Sequence, residues 1–146
     1  SPNPEQGLGL TNTFSTGTRI GSSEIDRFSS AVIFACDLDL PDDPSGLIWE
    51  QGGNAVGAYA GFRSDGALVI RAGLGYTLGQ VSGSQAALLY LPKGSISGSG
   101  TLVWEITGGN SSSTPIQIRA WWKGVSIGTV ISTHGVAPWA GGNEGT

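Results

Sequence analysis

The residues here with the types and spacing to do chemistry are few: five tryptophans, eleven carboxylates, one histidine and one cysteine. Glu24 and Asp26 stand two apart in Ser23-Glu24-Ile25-Asp26-Arg27-Phe28. On a strand, alternate residues share a face. The two carboxyls would then project together, as glycoside hydrolysis asks of an acid and a nucleophile. Arg27, Phe28 and Ser29 follow, so no further carboxylate joins the pair, and the segment precedes the first long strand. The reading is a surface strand whose acids pair with Arg27.

The tryptophans suggest a different chemistry. An indole face can stack on the C–H side of a sugar ring or anchor a protein partner. Trp49 and Trp104 alternate with apolar neighbours and are expected in the core. Trp121 and Trp122 are adjacent, so a strand points them to opposite faces, and at most one joins any given platform. Trp121, Trp122 and Trp139 are therefore the candidate ligand- or partner-binding residues.

Asp37, Asp39, Asp42 and Asp43 form an acidic stretch of the kind that can offer oxygen ligands to calcium. It lacks the Asp-x-Asn-x-Asp-Gly loop, and a solvated loop is the expected reading. One His (His134) and one Cys (Cys36) cannot fill a four-ligand zinc site. His134 lies in a Ser/Thr/Gly loop and is expected in water. Cys36 ends the run Ala31-Val32-Ile33-Phe34-Ala35-Cys36 and is expected to pack as a small hydrophobe. No nucleophile elbow or phosphate-binding loop is present. Neither a metal nor a cofactor is expected.

These residues need elements to position them. Glycine supplies 25 of 146 residues, charged residues only 12%, and methionine none. Such a composition makes poor helices. The glycines follow no three-residue period, which excludes collagen. Hydrophobic residues at 38% exclude a solvated disordered chain. No apolar run approaches a membrane span, so no membrane partner is expected. The net charge is −4, and the seven basic residues are scattered. No nucleic-acid partner is expected. The start, Ser1-Pro2-Asn3-Pro4, has no basic or apolar leader; it fits a mature start or loss of an initiator methionine.

Period-two alternation between glycine-rich turns predicts nine to eleven short strands. Ser29–Leu40 is predicted as a central strand covered on both faces, because both of its alternating sets are mostly apolar. Leu47–Gln51, Val56–Arg63 and Ala67–Arg71 follow, the last two joined by the turn Ser64-Asp65-Gly66. A short strand is placed at Tyr76–Val81, and another at Ala86–Leu91, where a short helix is also open. Thr101–Thr107 is the clearest strand. Ile116–Trp122 and Val125–Ser132 flank a two-residue turn, Lys123-Gly124. Thr13–Ile20 and Glu24–Phe28 would be strands pairing elsewhere. One domain spans residues 1–146, with 1–12 as an arm and 133–146 as a C-terminal loop or tail.

The order from Ala31 to Gly73 is distinctive. An apolar strand and a Pro/Asp loop lead to Gly46-Leu47-Ile48-Trp49-Glu50-Gln51-Gly52-Gly53. The small-residue strand Gly57-Ala58-Tyr59-Ala60-Gly61 and the hairpin Asp65-Gly66-Ala67-Leu68-Val69-Ile70-Arg71 come next. With Thr101–Ile106 and Ile118–Val125, this order resembles the laminin-G-like, concanavalin-A-like jelly-roll superfamily over residues 29 to 131. The resemblance implies an all-β antiparallel sandwich of the jelly-roll, concanavalin-A-like type. Some glucanases of that broad fold carry E-x-D-x-(x)-E; Glu24 and Asp26 match two positions and the third is missing. No enzymatic activity is expected. Domains of the family close with a further strand near the C-terminus, and Gly141–Thr146 does not read as one. Either that strand is missing from this chain or a partner covers the edge.

Two functions fit these features. The first is a structural module on a virion surface, such as a phage capsid decoration (cement) or head-fibre protein, with other virion subunits or further copies of itself as partners. The second is a lectin-like, carbohydrate-binding module, virion-borne or extracellular, which takes surface glycans, as within a host-receptor-binding protein.

Overall fold

The computed structural model describes residues 31–52, 56–74, 85–109 and 111–136. Among them are eight strands and no helix. They are β1 (Ala31–Asp39), β2 (Gly46–Gly52), β3 (Val56–Phe62), β4 (Leu68–Leu74), β5 (Ala86–Leu91), β6 (Ser99–Thr107), β7 (Gln117–Trp122) and β8 (Val125–Ile131). They form two four-stranded antiparallel sheets, β1-β6-β7-β8 and β2-β3-β4-β5. The fold is an all-β sandwich. The predicted strands Thr13–Ile20, Glu24–Phe28 and Tyr76–Val81, the arm, Trp139 and the closing strand lie outside the described residues.

Local chemistry explains the hairpins. At the β7–β8 turn Lys123 has φ 51° and Gly124 φ 79°. Two successive left-handed residues make the turn whose twist matches that of the flanking strands. Gly124 takes this conformation at no steric cost; Lys123 does not. In the β3–β4 hairpin, Asp65 Oδ1 accepts a hydrogen bond from the Ala67 amide at 3.1 Å. That side-chain turn is the reason an Asp stands there.

The core lies between the sheets. Sheet β2-β3-β4-β5 sends in Trp49, Ala58, Ala60, Phe62, Leu68, Ile70, Ala72, Ala87 and Leu89. Its four alanines leave room for the indoles. The other sheet contributes Leu102, Trp104, Ile106, Ile118, Ala120 and Trp122. Phe34 stacks on Trp104, with centroids 5.2 Å apart, and leans on Trp49 at 4.2 Å. Trp49 and Trp104 are thus core residues, as their alternation predicted.

One expectation is corrected. Among the described residues β1 lies at a sheet end, and its outward face is not covered. Its residues alternate exposed and half-buried, and Ile33 is 65% exposed. Within the described sheet β1 pairs with β6 and lies at an end. Val32, Phe34, Cys36 and Leu38 turn inward onto the core. Alanine at 31 and 35 makes the outward set look apolar without supplying a surface large enough to demand burial.

Candidate functional site

Pairing register assembles the outward face of β1-β6-β7-β8 in rows. One row runs Ile33, Glu105, Arg119 and Thr129. The next runs Ala35, Val103, Trp121 and Ser126. The β7–β8 register shifts between Ala120 and Trp121, so Ala120 faces Gly128 while Trp121 faces Ser126. Ile127 is the extra residue of this bulge. Bulges re-aim side chains, and here the small Ser126 stands beside the indole.

The three candidate tryptophans have different fates. Trp121 points outward and is half-buried. Trp122 points inward, is 7% exposed and belongs to the core. Trp139 is outside the described residues. Trp121 has a charged companion two residues back on its own strand. The Arg119 guanidinium stands 5.5 Å from the Trp121 ring centroid. Arg119 also pairs with Glu105: its Nε donates to Glu105 Oε1 at 2.9 Å, and a second nitrogen donates to the same oxygen. Held by the carboxylate, the guanidinium stays over the ring.

The acidic stretch divides. Asp37 accepts a hydrogen bond from Thr101 Oγ1 at 2.6 Å, and Asp39 from Ser99 Oγ at 2.7 Å. Both are strand residues that tie β1 to β6, and Asp43 in the following loop pairs with Lys93. Among the described residues no three His, Cys, Asp or Glu side chains gather as metal ligands. Cys36 packs half-buried against the core, where burial, and then the Asp37 charge, push its thiol pKa up. His134 is exposed; its carbonyl accepts a hydrogen bond from the Ser132 hydroxyl at 2.6 Å.

Sequence reasoning missed a second constellation, on the outward side of β2-β3-β4-β5. Register places Glu50 opposite Tyr59, Tyr59 opposite Arg71, and Arg71 opposite Leu88. This face is covered: Tyr59 and Arg71 are each 1% exposed. Burial pushes the Tyr59 phenol up to about 12, against the opposing pull of the Arg71 and Arg63 charges. Arg71 donates to the Leu74 carbonyl at 2.6 Å. Leu47, Val69 and Leu88 pack around Tyr59. Polar groups enclosed this way are ordinarily hydrogen-bonded. No sequence signal marked this row, because its members come from four strands. Arg119, by contrast, was legible: it stands two residues before Trp121 on an alternating strand.

No known family profile matches this chain, and no curated protein or solved structure is significantly similar to it.

Proposed function

We propose that the chain is a non-enzymatic assembly module of a virion surface, of the capsid-decoration or head-fibre kind, joining its neighbours through strand β8. One observation carries the assembly reading. β8 reads Val-Ser-Ile-Gly-Thr-Val-Ile, seven residues with neither charge nor proline, at an end of the described sheet. Val125 is 67% exposed and Ile131 58%. Monomeric proteins guard strand edges with lysine, proline or outward charge. The opposite end has such a guard, since Asp37 and Asp39 face outward on β1. A strand from a neighbour would pair with the unguarded end by backbone hydrogen bonds. The virion setting is supported by a small acidic domain with one cysteine and few charges, and by its resemblance to lectin-like sandwiches. That last support is an analogy of fold.

Size-exclusion chromatography with light scattering tests the association. The expected result is an oligomer, converted to monomer by the double substitution Val125→Lys and Ile131→Lys with the fold retained. A strict monomer at every concentration, indifferent to those lysines, would sink the assembly reading. Immunogold labelling of purified particles tests the virion setting; unlabelled particles would count against it.

A further inference from the structure

We propose that the outward face of β1 and its neighbour β6 docks an extended segment of a different protein, one with basic residues at two alternate positions and apolar residues at the next two. This face is separate from the open side of β8.

Three observations carry it. First, the outward side chains of β1 are Ala31, Ile33, Ala35, Asp37 and Asp39, and all five are exposed. The apolar half continues across the sheet: Ala35 faces Val103, and Val103 faces Trp121, both half-buried. Contiguous exposed apolar surface rimmed by polar groups marks an interaction site. Second, the acidic half is held ready. Asp37 accepts from Thr101 and Asp39 from Ser99, each on Oδ1. Both carboxylates are thus placed before a partner arrives, which lowers the ordering cost of binding. Among the described residues no lysine or arginine forms an ion pair with either, and no third ligand joins them to hold a metal. Arg119, the base in the adjoining rows, is already bonded to Glu105. The two negative charges are therefore open to cations carried on another chain. Third, the spacing selects the shape of that chain. Asp37 and Asp39 stand two apart on a strand, and alternate side chains of any extended segment repeat the same rise of about 6.6–6.8 Å. A segment laid along β1 with basic residues over Asp39 and Asp37 places its next two alternate side chains over Ala35 and Ile33. A second copy does not fit this pattern, because no two of the seven basic residues in the sequence stand two apart.

The test is NMR titration of the folded chain with heptapeptides blocked at both ends. The peptide Lys-Thr-Lys-Thr-Val-Thr-Val should shift amide signals of β1 and β6. Glu-Thr-Glu-Thr-Val-Thr-Val and Lys-Thr-Lys-Thr-Thr-Thr-Thr should each bind about tenfold more weakly or less. The double substitution Asp37→Asn and Asp39→Asn keeps the oxygens that accept from the hydroxyls and removes the charge; it should weaken binding by about tenfold or more. Ile33→Ser should weaken it from the apolar side, and added salt should weaken it as well. These variants should melt like wild type, since the side chains are exposed. The lysine variant of β8 should bind as wild type does, which separates this face from assembly. Three results would overturn the proposal: the basic peptide binds folded wild type no more tightly than the two controls, the double asparagine variant binds it unchanged, or the shifts map to another face.

Discussion

Trp121 and Trp122 are neighbours in the chain, yet they lie on opposite sides of one sheet. Trp122 is 7% exposed within the core, and Trp121 stands outward beside Arg119. Truncating each should therefore cost different amounts. Trp122→Ala is expected to lose about 3–5 kcal/mol, as large core deletions do. Trp121→Ala should lose less than about 1 kcal/mol. Urea melts of the two variants measure this; equal losses would contradict the facing of β7.

Alkaline pH should unfold the protein partly through Tyr59. An unfolded phenol releases its proton near 10, whereas the buried Tyr59 holds it to about 12. Between those values the native state binds more protons than the unfolded one. The stability from this group is complete below about pH 10 and falls as pH rises toward 12, by on the order of 2–3 kcal/mol. Denaturant midpoints across this range should drop for wild type. Tyr59→Phe should flatten that part of the drop, and an unchanged slope would refute the assignment.

Lys123 is strained and useful at once. Its φ of 51° is unfavourable for a side chain with a Cβ, while its ammonium stands 5.7 Å from the Trp122 centroid. Left-handed strain costs about 1–2 kcal/mol, and an exposed cation–π contact returns about 0.5–1 kcal/mol. Strain outweighs contact. Lys123→Asn, which tolerates the left-handed region, should raise the melting temperature modestly. A lower melting temperature would show that the contact dominates.

Gly108 has φ 76°, and a Cβ added there would lie 1.9 Å from the Pro115 carbonyl oxygen. That oxygen belongs to backbone and cannot swing aside. Gly108→Ala should therefore cost more than the ~1 kcal/mol of a left-handed alanine alone, with the β6–β7 loop displaced. Thermal melts together with amide exchange at residues 111–116 would detect both effects. A variant as stable as wild type would exclude the close approach.

Elements set by local rules were legible in the chain. β5 spans Ala86–Leu91, where a strand was read with a short helix left open, and the β7–β8 hairpin turns at Lys123-Gly124 as its residues require. Period-two reading also separated Trp121 from Trp122 and put Trp49 and Trp104 inside. It failed on β1, where two apolar sets suggested cover on both faces and Ile33 is 65% exposed. Alternation states which residues share a face. It does not state whether a second layer lies over that face.

The same limit applies to the candidate site. Arg119 and Trp121 share a face by spacing alone. Glu105 joins them only through the β6–β7 register, and Ser126 only through the bulge opposite Trp121. The Glu50, Tyr59 and Arg71 row needed two registers at once. By itself, the sequence determined the all-β character, the turn positions and the two-sided division of each strand, because these follow from backbone preferences and nearest neighbours. The tertiary structure alone decided which side of each sheet was covered and which charges met which rings. Those outcomes depend on pairings between residues far apart in the chain, where long-range burial outweighs local preference.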